Sequence, residues 1–265
     1  MLLTPMRLIG ERPVSGRTPD SLIALHDAGY REVLARLGPG RFLDVGCGLG
    51  DGTARFLAPD RDVVGVDYDP ATARAAAAGY RDVTTACMDG AHLGLRAGAF
   101  DWVCSSHLIE HFVAPEEHAR EVARVLRPGG TAFFITPNAP ADFENPYHVS
   151  LFEPAGLRDL LGRWFEEVEV VGLDGSPAVK EDFERRRRAA RRLLALDVFD
   201  LRHRLPRRWF VALHGVARRL AYAVMGARWS GGATGIDAGQ FFITDRLDET
   251  TLVLFAIARR STSGG

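Results

Sequence analysis

The sequence lacks any long hydrophobic run. No apolar stretch reaches the roughly 18 residues that a membrane-spanning helix requires, and the opening residues do not show the basic, apolar and small-residue pattern of a secretory signal. The longest candidate, residues 209–226, is interrupted by Arg218 and Arg219. We therefore expect a cytoplasmic protein without a transmembrane helix.

Cysteine is also scarce. The chain of 265 residues contains three, Cys47, Cys87 and Cys104, and their spacing matches neither a zinc site nor a disulfide framework. Each lies in or beside a predicted strand. This placement favours small core residues in a reducing compartment.

An overall excess of one charge is absent as well, because the formal net charge is −1. The charge is nevertheless uneven, since residues 180–228 contain 14 basic and 5 acidic residues. No recognition motif or set of base-stacking aromatic residues accompanies them, which argues against nucleic-acid binding. The length accommodates one large α/β domain with an elaboration.

One stretch combines a short apolar strand with recurring glycines. Residues 42–45 are typical of a buried strand, and glycines follow at 46, 48, 50 and 52 before a helical pattern starts at Thr53. Glycine permits positive φ angles and close approach of the backbone, and the first N–H groups of a helix can bind an anionic or polar ligand. The stretch therefore predicts a ligand-binding turn.

Three carboxylates indicate the kind of ligand. Asp67 ends the next predicted strand, about 20 residues after the glycines, where nucleotide-binding sheets hold the ribose hydroxyls. Asp51 occupies the position of the third glycine in the dinucleotide-binding motif Gly-x-Gly-x-x-Gly, so the sequence does not match that motif. Asp44 lies inside the first strand, where a carboxylate is costly unless it is hydrogen-bonded or faces a cation.

Asp-x-Gly-x-Gly-x-Gly followed by a strand-ending aspartate resembles the first two motifs of class I S-adenosylmethionine (SAM)-dependent methyltransferases, in the small-molecule, type 11-like branch. The resemblance runs from residue 42 to about residue 171 and includes the last strand. It implies SAM as the cofactor and S-adenosylhomocysteine as the product. The cofactor-binding residues that it implies are Asp44, Gly46, Cys47, Gly48, Gly50, Asp67, Tyr68, Asp89, Gly90 and Ser106.

Strands and helices alternate along the chain, which is typical of a parallel sheet. The resemblance implies an α/β fold with a doubly wound, seven-stranded, mostly parallel sheet of the Rossmann-like methyltransferase type. We expect residues 1–173 and 246–262 to form the SAM-binding domain. Residues 174–245 would connect strands 6 and 7 at the ligand edge, so we expect them to be a basic helical insertion that roofs the acceptor site.

Histidines after the fourth and fifth strands are the candidate catalytic residues. An alcohol acceptor must lose a proton, and histidine is a suitable base near neutral pH. We expect His148, or else His111, to activate or orient the acceptor; the alternatives are that each only packs or fixes a neighbouring helix. Residues 107–111 also spell H-x-x-E-H, a zinc-peptidase pattern, but they follow a strand, so we expect no metal.

The basic insertion allows three interpretations. The arginines at 185–188, 191 and 192 either form a solvated helix face or attract an anionic acceptor. Alternatively, a helix over residues 206–225 makes peripheral contact with an anionic membrane to reach a lipid-linked acceptor. Its apolar residues fall on one face, which can equally pack on the sheet domain.

These patterns together predict a methyltransferase that acts on a small-molecule, glycan or lipid-linked acceptor, with O-methylation as the expected reaction. Two alternatives remain open at this point. One is an NAD(P)-dependent oxidoreductase, against which Asp51 argues. The other is a non-catalytic SAM-binding subunit that docks a partner.

Overall fold

A computed structural model describes residues 18–142, 148–194 and 235–262, with the backbone alone for 189–194. The helices are α1 (Asp20–Leu34), α2 (Pro70–Gly79), α3 (Pro115–Val125), α4 (Pro154–Leu161) and α5 (Pro177–Leu194). The strands are β1 (Gly40–Val45), β2 (Arg61–Asp67), β3 (Thr84–Cys87), β4 (Phe100–Ser106), β5 (Leu126–Pro137), β6 (Glu167–Gly175), β7 (Phe241–Thr244) and β8 (Val253–Arg259).

The strands form a single sheet in the order β3-β2-β1-β4-β5-β8-β6-β7. β1 to β5 pair in parallel, so their carboxyl ends lie at one edge. β8 runs antiparallel to both β5 and β6. This topology confirms the predicted doubly wound, mostly parallel sheet.

The described residues add an eighth strand, β7, to the seven predicted. It pairs only with β6, through residues 241–244, and lies within the stretch assigned to the insertion. Residues 241–244, Phe-Phe-Ile-Thr, have high strand propensity. A sequence pattern of only four residues is nevertheless too short to distinguish a strand from a loop.

Alternating side chains of the central strands build a hydrophobic core on each face of the sheet. Leu43 and Phe134 pack with α3 and α4 on one face. Phe42 and Phe133 pack with α1 and α5 on the other. Strands covered on both faces read as nearly continuous apolar runs, which is why β1 and β5 could be located from the sequence.

Two local predictions need correction. Residues Thr53–Phe56 form one 3-10 turn instead of a longer helix, because the chain is already extended at Leu57. Cys47 and Cys104 are buried as predicted, but Cys87 is exposed because it ends β3, the edge strand.

The insertion contributes α5 and β7 to the described structure. β6 extends to Gly175 and β7 occupies 241–244, so both ends of the predicted stretch 174–245 belong to the sheet. The predicted helix over 206–225 lies outside the described residues. Within the described part of the chain, no helix is long and apolar enough to span a bilayer.

Phe133 tests the packing of the core. Its side chain is 1% exposed, and its ring lies 6.5 Å from Trp102 and 6.1 Å from Phe255. We expect Phe133→Ala to lower the free energy of unfolding by about 3–5 kcal/mol, since it removes burial and leaves a cavity. Phe242→Ala is the control: this ring is 48% exposed on β7, and a loss of about 1 kcal/mol or less is expected in urea titrations. Equal losses for the two variants would contradict this account.

Candidate active site

The glycine turn after β1 has backbone conformations that side chains rarely adopt. The φ angles of Gly46, Gly48 and Gly50 are +85°, +56° and +91°. A Cβ added at Gly50 would lie 2.9 Å from the ring of Tyr80. The turn is fixed to the sheet because the N–H groups of residues 46 and 47 both donate to the carbonyl of Val66. It therefore leaves a bare backbone surface at the carboxyl end of β1.

Asp44, the last-but-one residue of β1, is fully buried beneath this turn. Its Oδ2 accepts hydrogen bonds from the Thr53 hydroxyl at 2.5 Å and from the Tyr30 hydroxyl at 3.3 Å. Its Oδ1 has no hydrogen-bond partner among the described residues. Burial raises the pKa of Asp44 to about 6, against the opposing effect of the two hydroxyl donors.

Asp67 ends β2 beside the same turn and is 5% exposed. Its Oδ2 accepts from the N–H of Gly48 at 3.2 Å, and its Oδ1 accepts from the N–H of Asp69 at 2.9 Å. The carboxylate therefore holds the glycine turn against β2. The next residue, Tyr68, is 58% exposed.

The remaining predicted cofactor residues lie at the carboxyl ends of the neighbouring strands. Asp89 follows β3, its side chain is 60% exposed, and its Oδ1 accepts from the N–H of Ala91 at 2.9 Å. Gly90 is buried and accepts a hydrogen bond from His118 through its carbonyl. Ser106 ends β4, and its buried Oγ has no hydrogen-bond partner in the ranges that the structure describes. Together with Cys47, which is buried in the turn, these residues share one sheet edge.

A second group of side chains lies further along this edge, after β4 and β5. Glu110 and His111 belong to a 3-10 turn (Ile109–His111) that follows β4, and His148 precedes α4. The two segments are joined by main-chain hydrogen bonds: the N–H groups of Val149 and Ser150 donate to the Glu110 carbonyl at 2.8 and 3.0 Å. As a result, the rings of His111 and His148 meet edge to face, 5.1 Å apart.

His148 is oriented by a carboxylate that the sequence analysis did not identify. Nδ1 of His148 lies 2.8 Å from Oδ1 of Asp142, and the side chain of Asp142 is 4% exposed. The carboxylate oxygen accepts, so Nδ1 of His148 is the donor of this hydrogen bond. The pair has the arrangement of a histidine base held in one tautomer by an acid.

Glu110 is buried at the base of the histidine group, with 1% exposure. Its Oε2 accepts from the Thr136 hydroxyl at 3.1 Å, and its Oε1 lies 3.7 Å from Nδ1 of His107. Burial alone would raise the pKa of Glu110, but His107, with smaller contributions from His111 and His148, lowers it below its ordinary value. The carboxylate is therefore ionised at neutral pH.

His107 was read only as part of a motif, but its backbone is unusual. Its φ angle is +49°, in the left-handed region, although it is not a glycine. Its ring contacts His26 of α1 at a centroid distance of 4.3 Å, and burial lowers the pKa of His26 well below its ordinary value. Strained residues of this kind concentrate at functional sites. No spacing rule could have indicated this pair, because His26 lies on a helix distant in sequence.

Comparison with known proteins gives results in agreement with this geometry. A family model described as a methyltransferase domain matches residues 43–134. A probable SAM-dependent methyltransferase of Mycolicibacterium smegmatis is 32% identical over 175 residues, covering 63% of this chain and 68% of that protein. The ubiquinone biosynthesis O-methyltransferase of Escherichia coli is 26% identical over 152 residues, covering 53% of this chain and 62% of that one.

A solved structure extends the comparison to the whole fold. The crystal structure of a SAM-dependent methyltransferase of Thermotoga maritima, described as a possible histamine N-methyltransferase, superposes with a TM-score of 0.58 at 15% identity. The match covers 90% of each chain. At this identity the likeness concerns the fold alone.

The raised pKa of Asp44 predicts a pH-dependent stability. The folded-state pKa of about 6 exceeds the unfolded value of 3.8, so the contribution of Asp44 is complete below pH 3.8 and is lost as the pH rises through 6. Asp44→Asn removes this dependence. We therefore expect the stability of the variant relative to the parent to rise by about 2–3 kcal/mol between pH 4 and pH 7. Urea unfolding without ligand measures this, and parallel pH profiles for the two proteins would contradict it.

Proposed function

Because this chain belongs to the family of S-adenosylmethionine-dependent methyltransferases, we propose that it methylates a hydroxyl oxygen of a small-molecule, glycan or lipid-linked acceptor. The acceptor lies beyond the carboxyl ends of β4 and β5, beside His148. The observation that carries this proposal is the hydrogen-bonded pair of His148 and Asp142 at that edge. A pair of this kind suits the removal of a proton from an alcohol.

The cofactor of the family fits the residues at the ends of β1 to β4. Oδ1 of Asp44 is buried without a hydrogen-bond partner among the described residues, and a cationic sulfonium or ammonium group suits such an oxygen. We assign Gly46, Cys47, Gly48 and Gly50 to the surface that receives the methionine part. SAM, when bound, supplies a methyl group on a sulfonium that is already a good leaving group.

The other half of the cofactor suits the remaining residues of this edge. Asp67 is assigned to the ribose hydroxyls and Tyr68 to the adenosine. Asp89 and Gly90 are assigned to the adenine, because the exposed carboxylate of Asp89 can accept from an exocyclic amine. Ser106 closes the methionine end through its backbone and its buried hydroxyl.

The reaction requires alignment, exclusion of water and an oxygen with an available lone pair. In the proposed reaction, Nε2 of His148 accepts the proton of the acceptor hydroxyl while Asp142 stabilises the resulting imidazolium. The new O–CH₃ bond forms as the S–CH₃ bond breaks, and the sulfur leaves as a neutral thioether. His111 packs edge to face on His148 and contributes to its orientation.

In the described part of α5, Arg185 and Arg188 fit the solvated-face interpretation, with side chains 67% and 70% exposed, whereas the side chains of Arg186 and Arg187 are only 16% and 27% exposed. Each of these arginines pairs with a carboxylate of its own helix, at position 182 or 184. Pairs of this kind at i,i+3 and i,i+4 spacing stabilise an exposed helix. The membrane-contact interpretation concerns residues 206–225, which lie outside the described residues. We also propose that residues 174–245 cover the acceptor site.

The family assignment also decides between the earlier alternatives. Relatives of this chain are methyltransferases, so the nicotinamide-dependent oxidoreductase is not retained. A non-catalytic SAM-binding subunit is not favoured, since the His148–Asp142 pair is the arrangement that proton removal requires.

An experiment with methyl-labelled SAM tests the reaction and identifies the acceptor. Purified protein, cell extract and SAM carrying a deuterated methyl group are incubated, and metabolites that gain the labelled methyl are identified by mass spectrometry. We expect a methyl ether or ester as the product. Exclusive labelling of nitrogen would contradict O-methylation, and no heat on calorimetric titration with SAM would contradict the assignment of the cofactor site.

Asp67 tests the cofactor site directly. We expect Asp67→Ala to weaken SAM binding by about 1.5–3 kcal/mol, the range for hydrogen bonds to a charged group. Asp62→Ala is the matched control, because Asp62 lies at the other end of β2 with a 69% exposed side chain. Calorimetry should show unchanged affinity for the control. An unchanged dissociation constant for Asp67→Ala would mean that the motif is misassigned.

His148 tests the acceptor side. We expect His148→Ala to lower turnover at saturating SAM by about 10²- to 10⁴-fold, the usual contribution of general acid–base catalysis. SAM affinity, measured by calorimetry on the same variant, should stay unchanged because His148 lies outside the cofactor group. A loss of SAM affinity would instead make His148 a cofactor-binding residue.

A further inference from the structure

We propose that Glu110, His111 and His148 bind a divalent transition-metal ion at the acceptor end of the active site. Each residue offers one ligand atom, and the three atoms lie within 4.8 Å of one another. Metal–ligand bonds of about 2.0–2.2 Å allow ligand atoms to lie up to about 4.4 Å apart, so small side-chain rotations suffice. This inference departs from the sequence analysis, which expected no metal.

The donor set indicates the class of ion. Two imidazole nitrogens and one carboxylate oxygen suit zinc, cobalt, iron or manganese, whereas magnesium and calcium prefer oxygen ligands. Three protein ligands leave coordination positions open, as in catalytic metal sites. The ion would therefore be able to bind an oxygen of another molecule.

Glu110 gives an independent reason to place a cation here. Its side chain is 1% exposed, and Oε1 makes no hydrogen bond to any described residue. The nearest polar atom recorded for it, Nδ1 of His107, lies 3.7 Å away, which is beyond hydrogen-bond distance. A buried carboxylate oxygen in this state is costly unless a cation compensates it.

Asp142 supplies the outer contact that metal-binding histidines usually have. It accepts a hydrogen bond from Nδ1 of His148, so Nε2 is the nitrogen that we assign to the metal. Carboxylate–histidine–metal arrangements of this kind fix the tautomer and strengthen the ligand. Asp142 is therefore a positioning residue of the proposed site.

The set of ligands differs from the H-x-x-E-H pattern of the sequence. In that pattern both histidines and the glutamate project from one helix. Here residues 109–111 form a 3-10 turn, and His107 precedes them with a left-handed backbone. His148 takes the place of His107, because the hydrogen bonds of residues 149 and 150 to the Glu110 carbonyl bring it beside His111.

A metal at this position would change how the acceptor loses its proton; this role rests on the proposed function. The acceptor hydroxyl would bind at an open coordination position, where the ion lowers its pKa and the proton leaves to solvent water. The resulting alkoxide would then form the O–CH₃ bond as the S–CH₃ bond breaks. His148 would act as a ligand in place of a direct base.

Cobalt(II) is the probe for the test, because its visible absorption reports the number and type of its ligands. Protein without a polyhistidine tag is treated with a chelator, dialysed and titrated with Co²⁺. We expect one bound ion per chain with imidazole ligation. His111→Ala, His148→Ala and Glu110→Gln should each abolish this spectrum, while Asp142→Asn should weaken the binding by about 10- to 100-fold.

His92→Ala is the matched control. This histidine is 69% exposed and pairs with Asp89, away from the three ligands, so its variant should bind Co²⁺ as the parent does. Circular dichroism of each variant shows whether it is folded. Glu110→Gln keeps the shape of the buried side chain, so it tests the metal site even if an alanine variant fails to fold. No bound Co²⁺ in the parent, or an unchanged spectrum in folded His111→Ala and His148→Ala, would overturn the proposal.

Calorimetry with SAM on the same metal-free protein separates this inference from the proposed function. SAM binding without Co²⁺ binding would overturn the metal site but not the proposed methyltransferase function. Co²⁺ binding without SAM binding would overturn the proposed methyltransferase function but not the metal site. Labelled methyl transfer should fall when the metal is removed and return with Co²⁺; full transfer by metal-free protein would overturn the role of the ion in activating the hydroxyl.

Discussion

The structure depends on one buried carboxylate, that of Asp44, and on the two hydroxyls that hold it. Thr53 ties this carboxylate to the end of the glycine turn, and Tyr30 ties it to α1. Three segments that are separate in sequence are thereby fixed around one oxygen atom. The other oxygen is left at the carboxyl end of β1, where the fold concentrates its ligand-binding backbone. One oxygen of this buried carboxylate therefore holds the surrounding segments together, while the other has no hydrogen-bond partner among the described residues.

Much of the fold could be predicted from the sequence, because its evidence is local. Strands covered on both faces, such as β1 and β5, appear as short apolar runs, and glycines mark the turn that follows β1. β7 escaped prediction because a four-residue edge strand pairs with only one neighbour, so its sequence carries little constraint. The first turn after the glycines was read as a helix, but its hydrogen bonds stop after residues 53–56.

The residues of the candidate site also fall into those that the sequence could predict and those that it could not. Asp44, Asp67 and Asp89 could be found because they lie near the carboxyl ends of strands that must meet at one edge. Their partners could not be found: Tyr30 contacts Asp44 from a helix, and Asp142 contacts His148. Both contacts depend on how segments without a shared periodicity pack together. Glu110 and His111 were identified as a pair, but only the folded chain shows that His148, and not His107, completes the group of possible ligands.

The attachment of residues 149 and 150 to the Glu110 carbonyl has an evolutionary consequence. Since these bonds use backbone N–H groups, the placement of His148 does not depend on the identity of the side chain at position 149, which is 36% exposed. In descendants of this chain, the side chain at position 149 could therefore change without displacing His148, so the surface at this position and the placement of the histidine can evolve independently.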